Sequence, residues 1–202
     1  LQVRPAAGLN GFAFSADIVR IGPLTVGEVS YGAEMCVAMG DLGTAYHVLA
    51  PLTGSVRARH RGGVTVADPA RAGLFQPHGD IDLRWSADCR LLSVKVERLA
   101  FERELAFEPA SPPDDGAVPA LGLTFGLASG AGRSWMGLIR LIHAEVREPD
   151  GLATLPALLR RWRDLAVAGL AGAVEQPCAA VPADRQTARR PRTVKRALDA
   201  MH

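Results

Sequence analysis

From Phe12 to about Val96 the chain alternates apolar and polar residues over short runs bounded by Gly, Pro and Asp. A period of two lays one side of each strand on a core and the other on solvent, which predicts a small all-β barrel or sandwich. The clearest runs are Leu24-Thr25-Val26, Val56-Arg57-Ala58-Arg59, Val64-Thr65-Val66, Ile81-Asp82-Leu83-Arg84-Trp85 and Leu92-Ser93-Val94-Lys95-Val96. Between two of these, Arg61-Gly62-Gly63 predicts a hairpin turn, because glycine enters positive φ without a Cβ clash. Gln76-Pro77-His78-Gly79-Asp80 predicts another turn ahead of the Trp85 strand.

Around Glu97 the period changes. Leu99, Phe101 and Leu105, interleaved with Arg98, Glu102 and Glu104, predict a short amphipathic helix that closes a β-domain over residues 10–107. Residues 108–133, with Pro109, Pro112, Pro113, paired aspartates and several glycines, read as a linker. A helical hairpin is expected over 134–176. In its first helix Trp135, Leu138, Ile139, Ile142 and Val146 form one stripe; in its second, Leu155, Leu158, Leu159, Trp162, Leu165, Leu170 and Val174 do so, with Pro156 tolerated in the first turn. Residues 177–192, rich in Pro, Ala and Arg, read as a basic tether, and 193–202 as the start of a further helix with Val194, Leu198 and Met201 on one side. The fold class expected is α+β, a barrel or sandwich followed by a helical hairpin.

Composition narrows the function classes. Hydrophobic residues make up 48% and charged residues 22%, as in a globular protein. No apolar stretch is long enough to span a bilayer, and Leu1 to Asn10 lacks the basic and apolar regions of a secretory signal, so a cytoplasmic protein without membrane partners is expected. The formal charge of +2 is unevenly spread: up to Asp184 there are 17 Lys and Arg against 20 Asp and Glu, and from Arg185 onward 6 against 1. The body is therefore a poor platform for phosphates, and only the tail concentrates cations. Cys36, Cys89 and Cys178 form no CxxC or Cys/His pair and read as reduced structural thiols.

Architecture and order together resemble transcription regulators of the AraC/XylS type, in the branch with a cupin-like sensing domain. The residues that carry the resemblance are Ala45 to Gly54 (AYHVLAPLTG), Leu83 to Leu92 (LRWSADCRLL), Gly130 to Trp135 (GAGRSW) and the terminal Arg190 to Asp199 (RPRTVKRALD), which looks like the lead-in to the family's first DNA-binding helix. The resemblance implies a homodimer whose β-domain senses a small-molecule effector and whose helices dimerise. DNA would be contacted only through a C-terminal domain, and this sequence stops short of its two helix-turn-helix units.

Barrel interiors are the expected place for an effector. Along Tyr46 to Pro51 either Tyr46/Val48/Ala50 or His47/Leu49/Pro51 faces inward, and alternation alone does not choose between them. Tyr46, His47, Arg57, His60 and Trp85 are the candidate ligand-binding residues. The plainer alternatives are Trp85 as core, His60 at a strand end and Arg57 in solvent. Trp135, Leu138, Ile142, Leu158, Trp162 and Leu165 are the candidate dimer contacts, with an intramolecular core as the alternative for the tryptophans. A metal-dependent cupin enzyme needs several converging ligands. The five histidines (His47, His60, His78, His143 and His202) form no HxH pair, and no Gly-x-Ser-x-Gly or phosphate loop is present, so no metal, cofactor or catalysis is expected. His47 and His78 would be the first ligands if a metal were bound. An effector-free dimerisation module is the third alternative.

Overall fold

The computed structural model describes residues 1–6, 8, 10–107 and 124–174. Among these residues eleven strands form two sheets: β1 (Gln2–Pro5), β2 (Ser15–Ile21), β3 (Leu24–Ser30), β4 (Met35–Met39), β5 (Ala45–Thr53), β6 (Val56–His60), β7 (Gly63–Ala67), β8 (Arg71–Phe75), β9 (Ile81–Trp85), β10 (Arg90–Glu97) and β11 (Thr124–Gly126). The first sheet runs β1-β4-β9-β6-β7 and the second β11-β8-β5-β10-β3-β2, with every neighbouring pair antiparallel.

The two sheets differ because their outer faces meet different surroundings. β6 and β9 in the first sheet alternate buried and exposed residues, since one face lies on the core and the other on solvent. β5 and β8 in the second are buried nearly throughout. Their outer face carries three helices: α1 (Arg98–Phe107), which follows β10 without a loop, α2 (Gly130–Glu145) and α3 (Pro156–Ala173). Two hydrophobic cores result. One lies between the sheets, built from Leu49, Phe75, Ile81, Leu83, Trp85 and Leu91; the other lies between the second sheet and the helices, built from Val48, Val94, Phe101, Trp135, Ile139 and Leu170.

The expected α+β class and the β-to-helix order are those observed. The β6–β7 hairpin pairs His60 with Gly63, so its loop is the two residues Arg61 and Gly62, both at positive φ (49° and 78°) as the favoured two-residue turns require. Arg61 takes a conformation in which glycine is the usual choice. The segment read as a linker over 108–133 is in part structured: Thr124–Gly126 pairs with β8, and α2 begins at Gly130, not at 134. The local reason is close packing. Phe125 is buried and meets the Trp135 ring at 5.5 Å, and a Cβ built on Gly132 would lie 1.8 Å from the Gly126 carbonyl oxygen. The helical pair is a layer laid on the second sheet, with which it shares one core. The tether and terminal helix expected over 177–202, with Cys178, lie outside the described residues; Cys36 and Cys89 are free thiols.

Candidate functional site

The register of β5 decides which of its faces looks between the sheets. Leu49 belongs to the inter-sheet core, whereas Tyr46, Val48 and Ala50 belong to the core under the helices. His47 therefore points inward, paired in register with Phe75 on one side and Lys95 on the other. It is buried, and its Nε2 lies 2.7 Å from Ser93 Oγ. Desolvation, reinforced by the Lys95 charge, holds its pKa down at about 3, so the ring is neutral.

His60, at the end of β6, is also buried and inward; its Nδ1 donates to the Asp80 carbonyl at 3.2 Å, which leaves Nε2 an acceptor in the neutral ring. Phe75 stands between the two imidazoles, with ring centroids 6.5 Å from His47 and 5.8 Å from His60. Trp85, the last inward residue of β9, meets Tyr31 edge-on at 5.0 Å, and Tyr31 in turn meets Phe14 at 5.4 Å.

Three ring nitrogens on these residues, His47 Nδ1, His60 Nε2 and Trp85 Nε1, are buried without a hydrogen-bond partner among the described residues. A buried polar group left unpaired costs about 1–3 kcal/mol. Trp85 supplies a donor, His60 an acceptor, and His47 either, on walls that are otherwise aromatic and aliphatic.

The barrel end near His60 has a charged rim. Arg61 donates to Gln76 Oε1, Arg98 donates to His78 Nε2 at 3.3 Å, and His78 Nδ1 lies 3.4 Å from Asp41. The Gly43 amide bonded to Asp41 at 2.7 Å is the first cause holding that carboxyl below its usual range.

Two expected ligand residues lie elsewhere. Tyr46 is fully buried on the opposite face of β5, against Phe101 at 4.8 Å, with its hydroxyl donating to Glu102 at 3.3 Å. Burial first, then the Glu102 charge, pushes its phenol well up. Arg57 is exposed on the solvent face of the first sheet, because β6 buries Val56, Ala58 and His60 instead. His47, His60 and Trp85 all face the space between the sheets, but not at one point: His60 pairs with Ile81 and Trp85 with Val56, at opposite ends of the β6–β9 ladder. Phe75, Tyr31, Gln76 and Ser93 were missed. Phase along a strand could have found Ser93, but β8 reads Arg-Ala-Gly-Leu-Phe and, being buried on both faces, shows no alternation to flag Phe75.

The candidate dimer residues divide in the same manner. Trp135 and Ile142 lie in the core under the helices, and so cannot form the contact themselves. Leu138, Leu158 and Trp162 are half-buried, and Leu165 is 58% exposed. Leu141, Leu152 and Leu155, exposed by 44%, 53% and 54%, extend this apolar surface. Among the described residues no group of three or more His, Cys, Asp and Glu is placed to hold a metal, and no helix is long and apolar enough to cross a membrane. His47 lies inside the barrel and His78 on its rim.

Residues 1–171 match the family model described as the AraC-binding-like domain. The chain is 29% identical over 182 residues to a probable thc operon regulatory protein of Rhodococcus erythropolis, an alignment that covers 86% of this chain and 53% of that one. It thus spans about half the length of this curated relative. Among solved structures, the AraC-like transcriptional activator CuxR superposes with a TM-score of 0.61 at 14% identity, covering 88% of this chain and 64% of that one. A cupin domain of an XRE-family transcriptional regulator from Enterobacter cloacae gives a TM-score of 0.35 at 8% identity, over 42% of this chain and 95% of that one.

Proposed function

The chain belongs to the AraC-binding-like domain family, and from that membership we propose that it is the effector-sensing and dimerising part of a cytoplasmic transcription regulator, not an enzyme. The observation that supports the sensing role is the three buried, unpartnered ring nitrogens between the sheets, on His47 and His60 either side of Phe75 and on Trp85 at the other end. An effector that hydrogen-bonds to all three must lie along β9, about 13 Å from the His60 end to the Trp85 end.

The apolar stripe of half-buried Leu158 and Trp162 and exposed Leu165 on α3, with exposed Leu155 just before it and Leu138 and Leu141 on α2, is the dimer surface in this proposal. A twofold contact sets the same face against itself. Regulation follows by population shift: an effector that binds one arrangement of barrel and helices more tightly favours it, and a DNA-binding domain attached beyond the helices takes its posture from that arrangement. Contact with DNA runs through that domain alone.

Native mass spectrometry of the purified chain tests the sensing role directly. A small molecule should leave with the wild-type protein and be lost from Trp85→Phe and His60→Leu. A compound that binds equally well to both variants would place the site elsewhere.

A further inference from the structure

Arg57 and Arg84 stand opposite each other in the β6–β9 register, both on the solvent face of the first sheet. Like charges facing each other across an antiparallel pair repel. Two clefts, of about 370 and 410 Å³, both include this pair in their walls. The first has Cys36, Ala38, Arg4 and Arg59 among its lining, with Cys36 between Arg4 and Arg84; the second reaches Ser55 and Ser86.

Glu34 accepts from Arg84 at 2.6 Å through Nε, so the terminal nitrogens of that guanidinium are not used by the pair. Arg4, Arg57 and Arg59 make no ion pair among the described residues. Asp82 and Glu34 are the acids of the two clefts, and leave two guanidiniums uncompensated.

We propose that this face is a second ligand site, in which Arg57 and Arg84 hold the phosphate group of a small phosphorylated molecule. Planar guanidinium forks match phosphate oxygens bidentately, and a lysine in the same place does not. A phosphate monoester carries a charge of about −1.5 to −2 at neutral pH, close to the local excess, whereas a monocarboxylate supplies half of it. Short side chains at Cys36 and Ala38 leave room for the organic part, and the half-exposed Val64, across from Arg59 on β7, adds apolar surface at the far side. The site is separate from the barrel interior, because Ala58 and Leu83, the neighbours of Arg57 and Arg84 along their strands, turn to the other face of the sheet.

Cys36 is half-buried and lines the cleft, so its alkylation reports occupancy. Iodoacetamide labelling of Cys36, quantified by peptide mass spectrometry at fixed ionic strength, is followed as phenyl phosphate is titrated into the full chain. Saturable protection is expected, weakened about tenfold by Arg57→Ala, only partly restored by Arg57→Lys, and unchanged by Trp85→Phe. Arg59→Ala, which should also weaken protection, serves if Arg57→Ala loses its fold by circular dichroism. Protection that follows ionic strength alone, or that is indifferent to Arg57, would overturn the proposal. So would protection by a DNA duplex with none by phenyl phosphate, which would make the face a nucleic-acid surface.

Discussion

The indole of Trp135 donates its N–H to the Ala166 carbonyl at 2.9 Å, joining the first turns of α2 to the later turns of α3 inside the core. This bond ties the two helices together inside the core, where Trp135 is buried and unavailable to a partner subunit. Trp135→Ala should lower unfolding free energy by about 3–5 kcal/mol in urea denaturation. Trp135→Phe keeps most of the buried ring and should lose less, on the order of 1 kcal/mol for the hydrogen bond.

Leu165 and Ile142 offer a paired test of assembly. Ile142 is fully buried and Leu165 is exposed. Leu165→Glu should leave the circular dichroism spectrum and melting temperature nearly unchanged while converting the dimer to monomers in sedimentation, because a twofold contact brings the new charge against its own copy. Ile142→Glu should unfold the helical layer. A wild-type chain that stays monomeric at tens of micromolar would remove dimerisation from the proposed function.

The neutral His47 makes stability depend on acidity. Its ordinary value of 6.5 falls to about 3 in the fold, so between those values the unfolded chain binds more protons than the native one. Stability should therefore decline as the pH is lowered from 6.5 toward 3, with a slope of up to about 1.4 kcal/mol per pH unit from this one group. His47→Gln, which can keep a hydrogen bond to Ser93, should flatten that part of the profile in chemical denaturation followed across pH.

Trp85→Phe separates stability from sensing. The Nε1 proton it removes has no partner among the described residues, so the change should be neutral or slightly stabilising by thermal melting, within about 1 kcal/mol of wild type. Effector binding measured by calorimetry should fall at least tenfold. A large loss of stability would mean that the indole N–H is paired in the free protein.

Much of the β-domain was legible because a strand with one wet face writes its orientation in its sequence. β6 and β9 alternate cleanly, and their inward His60 and Trp85 could be picked out as candidates. The same alternation places Arg57 outside, yet its charge drew attention on chemical grounds. β5 was ambiguous since both its faces are apolar: one lies in the barrel and the other under helices whose position a local pattern does not record. β11 was missed for a related reason. Three residues are too few to show a period, and what holds them is a pairing with β8 some fifty positions earlier. In the helices the periodicity marked an apolar stripe wider than one core needs, but Trp135 and Leu165 look alike until the sheet beneath them is known.

Because β5 is covered on both sides, adjacent residues of one strand serve two interiors: His47 faces the space between the sheets, while Tyr46, one peptide unit away, bears on Phe101 of α1. If an effector binds there as proposed, news of its occupancy needs no corridor of intervening side chains. In genetic terms, substitutions that fix a regulator of this build permanently on or off should gather along β5 and its neighbour β10, where the wall between the two interiors is a single backbone thick, and should be sparse in the loops at the far end of the barrel.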